Sequence, residues 1–101
     1  ERRLVMYRNK KILKSAKGQP CTVRSVWCNG DTSTTVAAHS NQSIHGKARG
    51  LKASDCFVAY ACSGCHRWLD ESAASRAEKV EAFNAAMHRT WLMLVQNGVL
   101  K

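Results

Sequence analysis

Apolar residues recur at three- and four-residue steps through Val80, Phe83, Met87, Trp91 and Leu94, the single stripe of an amphipathic helix. Ser75, with Glu78 three residues on, supplies a capping box for its start, and Asn97-Gly98 supplies its stop. Upstream the pattern changes. Residues 32–38 are β-branched and small, which predicts a strand that ends on His39. Asp55 opens a second apolar run, residues 56–61, which predicts another strand. Asn29-Gly30-Asp31 is a turn signal, and residues 40–54 are small, polar and basic, the composition of an exposed loop. Residues 66–70 stand at the entry to a further helix. No internal repeat is present.

At 101 residues the chain has room for one domain with a thin core, so a brace such as a metal is expected. An apolar fraction of 45% with three Trp argues against a disordered basic tail. No run of 18 apolar residues occurs, and Glu1-Arg2-Arg3-Leu4-Val5 lacks the apolar stretch of a signal peptide. The expectation is therefore a cytoplasmic chain with no membrane partner. A net charge of +9 favours a polyanion as partner. Seven Lys/Arg against Glu1 fall in residues 1–17, which predicts a basic N-terminal arm closed by Gly18-Gln19-Pro20 ahead of one domain over residues 18–101. Whether the residues before Met6 are native is left open.

The five cysteines are Cys21, Cys28, Cys56, Cys62 and Cys65. Cys62-Ser63-Gly64-Cys65 is a two-residue knuckle, and Cys21 and Cys28 make a second pair. Two such pairs a few tens of residues apart match a tetrahedral thiolate zinc site. The six-residue loop of the first pair must fold back for this. Cys56, inside an apolar run, is expected to be a small core residue rather than a ligand. A redox role for the knuckle would need a βαβ context that the chain lacks.

These pieces align as strand, His39, loop, strand, Cys-x2-Cys-His, helix. Together Cys21, Cys28-Asn29-Gly30, the run from Thr34 to His39, Asp55, and Ala61-Cys62-Ser63-Gly64-Cys65-His66 with Asp70 resemble the HNH branch of the ββα-metal (His-Me finger) nucleases. More narrowly they resemble the small prophage-encoded Ref-like and YbcO-like nuclease family. The resemblance implies an α+β fold, a ββα-metal hairpin-helix core braced by a zinc knuckle, with an additional C-terminal helix. It also implies a role for Asp55 as the residue that orients the base.

The residue chemistry points the same way. Phosphodiester hydrolysis needs a base to deprotonate water, a cation on the developing charge and positive surface for the backbone. His39, at a strand end facing a loop, suits the general base; its rival role is to cap a turn. His66 and Asp70 are four apart, on one face of a helix, and suit ligands for Mg2+ or Mn2+. Alternatively His66 is a fifth zinc candidate and Asp70 begins a turn. Lys10, Lys11, Lys14 and Lys17 of the arm, with Lys47, Arg49 and Lys52 of the loop, are expected to hold phosphates.

The leading expectation is a metal-dependent DNA endonuclease of phage or prophage recombination or DNA processing, with a structural zinc. It would act as monomer or homodimer and engage a phage or host recombination protein. The broader HNH pattern carries Asp or His immediately before the base, where this chain has Ala38. That departure favours a second reading, a non-catalytic zinc-knuckle DNA-binding module. A protein-interaction adaptor docking through the C-terminal helix is the third.

Overall fold

The computed structural model describes residues 6–100, so the expectations for Glu1–Val5, including the charges of Arg2 and Arg3, fall outside it. In chain order the elements are α1 (Lys10–Ser15), β1 (Val36–His39), β2 (Val58–Ala61), α2 (Ser63–Glu71) and α3 (Arg76–Gln96). β1 and β2 form an antiparallel hairpin with Val36 opposite Ala61 and His39 opposite Val58. α2 starts two residues after β2, which completes a ββα unit in an α+β fold.

β2 is buried along its whole length, and its side chains alternate between two apolar clusters as strand geometry requires. Ala59 and Ala61 join Val23, Ala38, Phe83, Ala86 and Met87. Val58 and Tyr60 join Ile12, Ala16 and Leu94. Trp91 packs against both clusters, and its indole N–H donates to the Cys56 carbonyl at 2.6 Å. The apolar stripe expected for α3 thus spans both halves of the core. At its start the Ser75 hydroxyl accepts from Glu78 N–H, and Gly98, at a φ of 76°, closes its end.

Three local differences from the sequence reading have physical causes. Residues 32–34 form a 3-10 turn instead of the start of a strand, because Asp31 takes Ser33 N–H and Thr34 bonds back to the Asp31 carbonyl. β2 begins at Val58, since Phe57 N–H is turned onto the Ser54 carbonyl. Within the basic arm, residues 10–15 are a helix docked through fully buried Ile12, while Lys10, Lys11, Lys14 and Lys17 stay exposed. Asn9 caps this helix by accepting from Lys11 and Ile12 N–H groups.

Candidate metal centre and cleft

Cys21, Cys28, Cys62 and Cys65 come together, with all four sulfurs within 4.8 Å of one another. The Cys62–Cys28 sulfur separation is 3.8 Å. A tetrahedron with metal–sulfur bonds of about 2.3 Å has edges of about 3.8 Å, so the donor set fits Zn2+. The loop between Cys21 and Cys28 does fold back, through Arg24 at a φ of 56° and a turn from Cys28 N–H to the Ser25 carbonyl. Ser25 N–H and Cys65 N–H donate to the sulfurs of Cys65 and Cys62. Gly64 is required here, because a methyl group at this position would collide with the Trp27 carbonyl.

The thiols differ sharply. Burial works against ionising Cys62, but N–H groups of Asn29 and Cys65 outweigh it and bring the thiol down to about 7. Burial pushes Cys65 up to about 12 despite its bonds from Ser25. A divalent cation held by the four sulfurs would supply the charge that lets all four become thiolates. Cys56 lies outside this group, as expected, but it is half-buried and joins neither apolar cluster, so it is not the core residue expected of it.

His39, His66 and Asp70 line one cleft of about 540 Å3, away from the sulfur cluster. Its apolar lining comes from Ala37, Ala38, Leu69, Val80 and Phe83. β1 brings His39 to the mouth, and its Nε2 lies 2.8 Å from Asp55 Oδ1. Asp55 is only 2% exposed and also accepts from Arg8 Nη1 at 3.2 Å and from Asn9 N–H at 2.7 Å. Burial raises its carboxyl, but the bonds from His39, Asn9 and Arg8 outweigh that and hold it below the usual range. An ionised Asp55 can only accept, so Nε2 of His39 is the donor, and in the neutral ring Nδ1 is then the lone pair.

On α2, His66 Nδ1 stands 3.3 Å from Asp70 Oδ2, with both side chains partly exposed. Among the described residues only the four cysteines form a group of three or more close metal-ligating side chains. A cation held at His66 and Asp70 would therefore take the rest of its shell from water and substrate.

Of the loop cations expected to hold phosphate, Lys47 and Lys52 line the cleft and Arg49 is exposed on a turn outside it. Lys11 and Lys14 border a separate groove between α1 and residues 98–100. Arg76 and Lys79 also line the cleft, and sequence reasoning missed them. Their only signal was position, at the start of the long amphipathic helix. His45 is held in place, with its ring stacked on Phe57 at 4.3 Å and Nδ1 2.6 Å from Ser40 Oγ.

The family described as "Putative nuclease YbcO" matches residues 10–99. Among solved structures, one described as a putative bacteriophage protein from Escherichia coli str. K-12 substr. MG1655 superposes with a TM-score of 0.67. It is 30% identical over 86% of this chain and 99% of its own. No curated protein sequence matches the chain. Among the described residues no helix is long and apolar enough to cross a membrane.

Proposed function

This chain belongs to the YbcO family, and on that premise we propose that it is a metal-dependent DNA endonuclease, hydrolysing phosphodiester bonds in phage or prophage recombination or DNA processing. The observation that carries the reading is the His39–Asp55 pair at a cleft shared with His66, Asp70 and four cations. Asp55 fixes the imidazole and stabilises the imidazolium that forms when Nδ1 takes a proton from water. His66 and Asp70 are the residues that would hold Mg2+ or Mn2+, and such an ion offsets the negative charge that develops on the phosphate. Lys47, Lys52, Arg76 and Lys79 line the cleft without a carboxylate partner among the described residues, as a phosphate-holding surface requires. Lys10, Lys11, Lys14, Lys17 and Arg49 extend positive surface beyond it. The structural role falls to Zn2+ at the four cysteines.

A second reading, a non-catalytic DNA-binding module on the same zinc-braced scaffold, is favoured by one observation. Among the described residues no third protein ligand joins His66 and Asp70, and Ala38 precedes His39 where many HNH chains place one. Incubating the zinc-loaded protein with duplex, single-stranded and branched DNA, with Mg2+ or Mn2+ and with a magnesium chelator, separates the two. The nuclease reading expects cation-dependent strand breaks on at least one substrate. Tight binding with no breaks on any substrate supports the binding module instead.

A further inference from the structure

Arg8 belongs by sequence to the basic arm, where the default work of a cation is to meet phosphate. Its guanidinium is already committed elsewhere. Nη1 donates to Asp55 Oδ1 and, at 2.6 Å, to the Ala53 carbonyl, while Nη2 donates to the Lys52 carbonyl at 3.0 Å. Around it, Asn9 N–H donates to Asp55 Oδ2, Asp55 N–H donates to the Tyr7 carbonyl at 2.8 Å, and Tyr7 N–H donates to Ser54 Oγ at 3.1 Å. Residues 7–9 and 52–55, more than forty positions apart, are thus closed on each other by six hydrogen bonds.

The consequence lies in how Asp55 is held. Oδ1 is shared between Arg8 and His39, and Oδ2 is taken by Asn9 N–H, so both carboxylate oxygens are held by groups other than the histidine. A carboxylate pinned in this way can bond the imidazole in one orientation. A carboxylate free to turn away would lose the Nε2 bond, and the ring could then exchange tautomers. The same guanidinium fixes the two carbonyls that bracket the end of the basic loop, and Lys52 reaches the cleft from there. The bonds leave two nitrogens of one rigid plane in fixed directions, which a single ammonium nitrogen on a flexible stem does not reproduce, so arginine suits the position better than lysine.

We propose that Arg8 is a positioning residue of the cleft: it locks the Asp55 carboxylate and the Lys52–Ala53 backbone, and through them sets the tautomer of His39 and the placement of Lys52. The proposal deepens the nuclease reading and rests on it for its effect on rate, but its structural core can be read without any cleavage.

The test compares zinc-loaded wild type with Arg8→Ala and Arg8→Lys. Ring 15N shifts of His39 report the tautomer, single-turnover assays report cleavage of bound DNA, and binding across a salt series reports phosphate contacts. The expected result is a single Nε2–H tautomer in wild type and a mixture in Arg8→Ala. Cleavage of bound DNA falls about 10- to 100-fold, as for a misplaced catalytic group, and the salt slope of binding falls by less than the one unit of a lost phosphate contact, since Lys52 is displaced but present. Arg8→Lys keeps the charge and lies between, and it carries the test if Arg8→Ala does not fold. An unchanged tautomer with intact cleavage overturns the proposal. So does a salt slope reduced by about one unit with normal cleavage of bound DNA, which would make Arg8 a phosphate contact. If wild type cleaves nothing while the tautomer still responds to Arg8, the nuclease reading falls and the positioning role stands.

Discussion

Asp55 carries a charge in a place where water barely reaches, and three donors make that tolerable: His39 Nε2–H, Asn9 N–H and the Arg8 guanidinium. Its carboxyl is held below the ordinary range, whereas in the unfolded chain it titrates near about 4. A depressed folded value means the stability it contributes is complete above that unfolded value and is lost as pH falls through the folded one. Urea unfolding between pH 6 and pH 2.5 should therefore show wild type losing stability below about pH 4. Asp55→Asn should be weaker by about 1–3 kcal/mol at neutral pH, where it removes the charged acceptor of Arg8, Asn9 and His39, and flatter at the acid end. Equal acid slopes for the two proteins would show that Asp55 is not the titrating group. At this scale the sequence is uneven evidence. The cysteines are legible because ligand spacing is a local pattern, and the family resemblance supplies Asp55. Arg8 is silent, since its partner lies 47 residues away and nothing near it in the chain distinguishes it from the other arm cations.

Among the elements, the hairpin depends on what covers its outer edge. A two-stranded sheet leaves β2 with unpaired backbone groups on the side away from β1. Thr22 N–H and hydroxyl both donate to the Tyr60 carbonyl, and Tyr60 N–H donates to the Thr90 hydroxyl of α3. Thr90 in turn donates to the Ala86 carbonyl, one turn back in its own helix. Thr90→Val keeps the shape and removes the acceptor, leaving a buried N–H unpaired. It should cost about 1–3 kcal/mol in urea unfolding, with the added β2 exposure visible as faster amide exchange at Tyr60. A variant as stable as wild type, with Tyr60 still protected, would show that the edge is closed by something else. The long helix was legible because its period persists over some twenty residues. The short elements were not, because side-chain bonds such as those of Asp31 decide them and leave no periodicity. The helix in the basic arm was hidden for a related reason: a single buried Ile12 within a run of lysines gives no stripe to read.

Across the whole molecule, the positive charge is distributed in a way that composition alone does not show. One group of cations lies along α1, and another surrounds the cleft through Lys47, Lys52, Arg76 and Lys79. Each phosphate contact contributes a slope of about −0.9 to log K against log salt. Lys52→Ala and Arg76→Ala should each flatten that slope by about one unit and weaken binding to all sequences alike. Slopes unchanged by both substitutions would move the DNA off the cleft. The four-cysteine cluster, the hairpin and α2 together form the scaffold that sets His39 among those cations. Single-turnover cleavage by zinc-loaded His39→Ala, beside wild type with DNA binding measured in parallel, tests the proposed role of His39 most directly. If His39 is the general base, the cleavage step falls by about 10²- to 10⁴-fold with affinity for DNA retained; cleavage by His39→Ala at the wild-type rate would exclude that role.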